Sequence, residues 1–202
     1  SAFEKVNTGL TEVICDAIRL SSRKIPLILA SSTQADLDNP YGNSKRAAEK
    51  FVETLQAETG NPSYIYRLPS VFGKWCKPNY NSVVATFCHN IAQGLPIQIN
   101  NEFTELKLVY IDDVVFEFLN VIYGNKKKGL YSVVEPEYRI LLGQLADQIR
   151  SFQSSRRSLI TEPVGDGLVR ALYSTYVSYL EPRQFSYILP EYGDDRGAFV
   201  EM

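Results

Sequence analysis

The sequence predicts an α/β fold in which helices flank a parallel sheet. Three observations carry that prediction. Helix-like and strand-like patterns alternate along the 202 residues. Pro26–Ser31 is a short apolar run between a charged turn and a polar cluster, the pattern of a parallel strand buried on both faces. Asn, Pro and Gly fall between the patterned segments, where they act as punctuation.

The elements follow in order. Phe3 to Leu20 reads as a helix, with Val6, Leu10, Val13, Ile14, Ala17 and Ile18 as its apolar stripe. The strand at Pro26–Ser31 comes next. A helix from Tyr41 to Thr59 is framed by Asn39-Pro40 before it and Gly60-Asn61-Pro62 after it. Ser63–Leu68 is a second strand. Ser70–Asn81, rich in Gly, Pro, Asn, Trp and Lys, reads as a loop that presents side chains. Ser82–Gln93 is a helix, Lys107–Tyr110 a short strand, and Asp112–Tyr123 a helix whose two leading aspartates suit its positive end. Gly129–Val134 is a strand, and Leu141–Phe152 and Leu168–Leu180 are helices. Tyr192–Glu201 combines turn residues with an apolar/polar alternation.

Composition removes several classes of function. Lys plus Arg is 21 against 23 for Asp plus Glu, so the basic excess of a nucleic-acid binder is absent. The longest basic run, Lys126-Lys127-Lys128, reads as a solvated turn. No apolar run approaches the roughly 18 residues that span a bilayer, so no membrane partner is expected. Cys15, Cys76 and Cys88 lack metal or disulfide spacing, which points to a reducing cytoplasm. His89 has no second histidine with which to share a metal. Cys88-His89 resembles a nucleophile and base, but on a helix the two side chains diverge by about 100°.

The strongest chemical signal is Tyr41-Gly-Asn-Ser-Lys45 at a helix start. Residues four apart lie one above the other on a helix. An ammonium beside a phenol favours the phenolate, so such a tyrosine can exchange a proton with a sugar hydroxyl or ketone. Ser32 lies just past the buried strand, at the end where open α/β sheets place their ligands. Chance alone supplies a Tyr-to-Lys pair at this spacing roughly 0.6 times in such a chain. A second, Tyr123–Lys127, sits in a Gly-Asn turn and reads as surface. Gly165-Asp-Gly167 likewise reads as a turn, since no phosphate-binding pattern follows it. Strand, serine cluster, proline and helix surround the pair at Tyr41 in order.

With these residues in place, the chain resembles the extended short-chain dehydrogenase/reductases that act on nucleotide sugars. It is most similar to the capsular-polysaccharide reductases of the CapF type, in which a cupin follows the reductase domain. Leu29-Ala-Ser-Ser32-Thr-Gln34 resembles the family's serine segment and Tyr41 to Lys45 its YxxxK. Asn7-Thr-Gly-Leu-Thr11, Arg67-Leu-Pro-Ser-Val-Phe-Gly73, Lys74-Trp-Cys-Lys-Pro-Asn79-Tyr-Asn81 and Tyr110-Ile-Asp-Asp113 resemble further family segments. Asp194–Glu201 resembles the opening strand of a cupin.

The resemblance implies an incomplete Rossmann-like sheet plus a small C-terminal substrate subdomain. Residues 1–183 would form the partial reductase domain and 184–202 a linker and first cupin strand. Tyr41 would be the acid/base, Lys45 its partner, and Ser32 the group that binds the reacting hydroxyl. Tyr41, Lys45, Leu68 and Pro69 would meet the cofactor, NADP(H) or NAD(H). Ser70, Lys74, Asn79 and Asn81 would face a UDP-sugar. The implied reaction is hydride transfer at a ring carbon of a UDP-hexose; epimerases and dehydratases of the family use the same residues.

No GxxGxxG occurs in the chain, and about 70 further residues would complete a dinucleotide half. The expectation is therefore a fragment, inactive by itself. The helices at 3–20 and 41–59 correspond to those through which such reductases form homodimers. The rival reading is a reductase-like interaction module without catalysis.

Overall fold

A computed structural model describes residues 3–126, 129–186 and 189–200. Lys127 and Lys128, which end the basic run and the second Tyr-to-Lys pair, lie outside the described residues. So do Tyr187 and Ile188 of the expected linker, and Glu201 at the end of the expected cupin strand. The chain divides into two compact units, Ser1–Val71 with Ile111–Glu137, and Phe72–Tyr110 with Tyr138–Met202.

The first unit is built on a parallel sheet. β1 (Leu27–Ser32) pairs with β2 (Ser63–Leu68), which pairs with β5 (Tyr131–Ser132). In the β1–β2 register Leu27 faces Ser63 and Ser32 faces Leu68, so both strands end at the same level. Helix α1 (Leu10–Ser21) and helix α2 (Pro40–Thr59) pack on this sheet. Cys15 and Ile18 of α1 meet Val52 and Leu55 of α2 and Ile65 of β2 in the core. Helix α4 (Ile111–Ile122) reaches the sheet through Phe118, whose ring lies 5.2 Å from that of Tyr66. Its first turn carries Asp112 and Asp113, as the helix dipole favours.

The apolar stripe of the first helical segment divides: Val6, Leu10, Val13, Ile14 and Ala17 are exposed, while Ile18 is buried together with Thr11 and Cys15. One expectation changes here. β1 is only half-buried over Leu27–Leu29, because it is the edge strand of its sheet among the described residues.

The second unit pairs β4 (Glu105–Tyr110) antiparallel with β6 (Tyr138–Leu141). Helices α3 (Val83–Ala92), α5 (Leu142–Ser158) and α6 (Gly167–Val177) pack together. Phe152 sits between Tyr173 and Tyr176 at ring distances of 5.2 and 5.9 Å. Gln153 and Gln184 donate to the carbonyls of Ile91 and Ala92 in the last turn of α3. Cys88 is fully buried and burial pushes its thiol well above the ordinary range, while half-buried His89 bonds Asn90 instead.

Other boundaries also move. Ser70–Phe72, expected as loop, is strand β3, and β6 is Tyr138–Leu141, of which the sequence places only Leu141 in an element, as the start of a helix. The strand expected over Gly129–Val134 contracts to Tyr131–Ser132, the residues with partners on β2. Helix α5 runs on to Ser158. The C-terminal stretch is a hairpin and not a single strand: β7 (Glu191–Asp194) pairs with β8 (Gly197–Val200), and Asp194 grips Arg196 in the turn.

Candidate active site

The site in the first unit starts from the ends of β1 and β2. Ser32 is the last residue of β1 and caps the short helix Thr33–Asp36, its Oγ accepting from the Gln34 N–H at 3.2 Å. Leu68 stands beside it in register. Leu68 is buried, Pro69 half-buried and Ser70 exposed. Pro69 lacks an N–H and separates β2 from β3.

Helix α2 begins where its sequence directs. Asn39 is the N-cap, its Oδ1 accepting from the Gly42 N–H at 2.8 Å, and Pro40 occupies the first helical position. Tyr41 and Lys45 are both half-buried, and the Lys45 ammonium lies 5.7 Å from the centre of the Tyr41 ring. Lys45 Nζ also donates to the Ala30 carbonyl at 3.0 Å, which ties the pair to β1 two residues before Ser32. Burial draws the Lys45 ammonium below the ordinary lysine value, and the charge of Glu49 works against that shift. Phe3 supports the other side of Tyr41, ring to ring at 5.5 Å and edge-on.

Three features here escape the motif reading. The residues before α1 form a turn of π-helix, Glu4–Gly9. From it Asn7 Nδ2 donates to Ser44 Oγ at 3.0 Å and Thr8 Oγ1 to the Ser44 carbonyl at 3.1 Å. Ser44 Oγ in turn donates to the Tyr41 carbonyl at 2.7 Å, so these bonds brace the Tyr41–Lys45 turn. The second feature is Gly42, whose Cα faces the backbone of Gln34 and Leu37. The third is Glu49, buried one turn beyond Lys45 and bonded to Arg67 and Ser31. Burial pushes the Glu49 carboxyl up, but bonds from Arg67, Ser31 and Tyr131 outweigh it and hold the group below the usual range. The four-residue spacing puts Glu49 on the face of Tyr41 and Lys45, but its role rests on partners 18 residues away in sequence.

The remaining predicted residues belong to the second unit. Lys74 is half-buried, its ammonium 5.6 Å from the Tyr110 ring centre and 6.0 Å from that of Trp75. Trp75 is 80% exposed and adopts a left-handed φ of 62°, so it does not pack into a core. The loop is anchored nonetheless. The Tyr179 hydroxyl donates to the Cys76 carbonyl, and the Asn79 N–H donates to Thr86 Oγ1 at 2.9 Å. Asn79 has a φ of 53°, a conformation that asparagine tolerates, which accounts for its residue type without a ligand. Asn81 is exposed, directly before the Ser82 cap of α3. Ser32, Tyr41, Lys45, Leu68, Pro69 and Ser70 thus share one unit, and Lys74, Asn79 and Asn81 the other.

Comparison with known proteins identifies the family. Residues 1–133 match the NAD dependent epimerase/dehydratase family. Over 200 residues the chain is 54% identical to a UDP-2-acetamido-2,6-beta-L-arabino-hexul-4-ose reductase of Pseudomonas aeruginosa, covering 99% of this chain and 54% of that protein. The capsular polysaccharide assembling protein CapF of Staphylococcus aureus superposes with a TM-score of 0.87 at 41% identity, over 94% of this chain and 53% of CapF. A UDP-glucose 4-epimerase of Thermotoga maritima shares the fold at a TM-score of 0.71 and 19% identity, over 90% of this chain and 71% of the epimerase. The chain belongs to the NAD dependent epimerase/dehydratase family, and its α/β architecture is of that Rossmann-like kind. It spans about half the length of the curated relative it matches.

Proposed function

We propose that this chain forms the catalytic and substrate-facing part of a nucleotide-sugar reductase of surface-polysaccharide synthesis. The substrate is a UDP-linked 4-keto hexose and the cofactor NADP(H) or NAD(H). The observation that carries this is the Tyr41–Lys45 pair, tied through Ala30 to the strand that ends in Ser32. The relative's 4-keto sugar supplies the substrate class.

The donor set fits a nicotinamide nucleotide. Lys45 spends one ammonium hydrogen on Ala30 and has others for ribose hydroxyls. Lys45 and Tyr41 would hold the ribose, and the backbone of Leu68 and Pro69 the nicotinamide. When bound, the cofactor supplies the hydride. Tyr41 gives its phenolic proton to the ketone oxygen, and Lys45 stabilises the phenolate that remains. The Ser32 hydroxyl holds the same oxygen. Within the first unit Ser70 would face the sugar nucleotide.

We place the protein in the cytoplasm as a homodimer. No helix among the described residues is long and apolar enough to cross a membrane. The outward stripe of the π-helical turn and α1, with Val6, Leu10 and Val13, supports association through that segment. The same stripe favours an interaction role as a second reading, joined to catalysis and not replacing it. The test is oxidation of NADPH by the full-length protein with a UDP-4-keto hexose. Turnover lost in Lys45→Ala supports the assignment; turnover retained there removes Lys45 from it.

A further inference from the structure

We propose that Glu49 is a positioning residue for this reaction, its buried carboxylate fixing the ends of β1 and β2 to the Lys45 face of α2. The inference rests on the reading of Ser32, Tyr41 and Lys45 given above.

Tyr41, Lys45 and Glu49 follow one another at single-turn intervals on α2, so they share a face. Glu49 is 1% exposed. Its Oε1 accepts from Ser31 Oγ at 2.5 Å and from Arg67 Nε at 2.9 Å. Its Oε2 accepts from Arg67 Nη2 at 2.6 Å and from the Tyr131 hydroxyl at 3.4 Å. Two of the three partners adjoin a site element. Ser31 precedes Ser32, and Arg67 precedes Leu68, the residue paired with Ser32 across the sheet. Lys45 grips Ala30, next to Ser31. Two side chains one turn apart therefore hold successive residues of β1.

The other charged groups here are Asp36, which holds Arg67 Nη1 at 2.7 Å, and Glu53, which holds the Tyr131 hydroxyl at 2.7 Å. Burying a carboxylate is costly unless it is paired, and an apolar pair of similar volume serves adhesion as well or better. Directional bonds to Ser31 on β1 and Arg67 on β2 are what an apolar contact cannot provide. The Glu49 charge also acts on Lys45, offsetting part of the effect of burial on its ammonium.

The test compares Glu49→Gln with the double variant Glu49→Gln/Arg67→Met in the full-length protein. The single variant leaves the Arg67 guanidinium beside a neutral amide and should lower Tm; removing both charges should restore most of it. Positioning predicts that kcat for hydride transfer falls about tenfold or more in both variants, with KM for the sugar nucleotide within about threefold. A double variant that recovers wild-type kcat together with its Tm overturns the proposal and leaves the pair as fold support. Labelling of Lys45 by an amine reagent, read by mass spectrometry across pH, requires no turnover. Lys45 should react at lower pH in Glu49→Gln than in the wild type. Superimposable curves overturn the proposal, whether or not hydride transfer is observed.

Discussion

The carbonyl oxygen of Gln34 lies 2.2 Å from where a Cβ on residue 42 would sit, so the position between Tyr41 and the rest of α2 accepts only glycine. The Leu37 carbonyl stands 2.7 Å from the same point. Both obstacles are backbone, which cannot swing aside. Gln34 is the residue whose N–H bonds Ser32. Gly42 therefore sets how closely the serine segment approaches the tyrosine.

Gly42→Ala tests this directly. The helix must lift from the Thr33–Leu37 turn, and we expect a loss of about 1–3 kcal/mol or more. Thermal unfolding reads the stability. A Tm equal to wild type contradicts the close approach.

The two faces of α1 give opposite expectations. Ile18 is 8% exposed in the core, and Ile18→Ala should cost about 2–5 kcal/mol. Val13 is 65% exposed, and Val13→Asp should leave stability within about 0.5 kcal/mol while weakening self-association. Light scattering on the eluting protein measures the latter. A wild-type monomer contradicts the association reading.

Acid sensitivity should trace to Glu49. Its folded carboxyl lies below the ordinary value, so its stabilisation is complete above the unfolded value, about 4.3, and disappears as pH falls through the folded one. Stability measured from about pH 5 downward should fall more steeply in the wild type than in Glu49→Gln. Parallel slopes contradict the shift.

Thiol reactivity should follow burial. Cys15 and Cys88 are fully buried, and burial raises both thiols above their ordinary value. Cys76 is half-buried. In native protein at about pH 8, an alkylating reagent should reach Cys76 first, and the other two only on unfolding. Rapid native labelling of Cys88 contradicts its place in the core.

Part of this was legible in the residues and part was not. Ser63–Leu68 is strand from its first residue to its last, because alternating β-formers sit between Pro62 and Pro69. The start of α2 was legible because Asn39 and Pro40 act locally, as cap and first turn. β6 was not, because Tyr138–Leu141 is a strand only by pairing with the distant Glu105–Leu108. The apolar stripe of α1 was legible, but which of its residues reach the core was not: Ile18 does and Leu10 and Val13 do not, since periodicity cannot say how much of a stripe finds the sheet. Tyr41 and Lys45 were legible as a spaced pair. Glu49 was not, because its worth depends on Arg67 and Ser31, each 18 residues away in sequence.

The most direct test of the central claim is Tyr41→Phe in the full-length protein, with NADPH oxidation followed in the presence of a UDP-4-keto hexose. The account predicts that turnover is abolished while binding of the sugar nucleotide survives, because the variant loses one phenolic oxygen and keeps the ring beside Lys45. Turnover at the wild-type rate would contradict the account and remove Tyr41 from the chemistry.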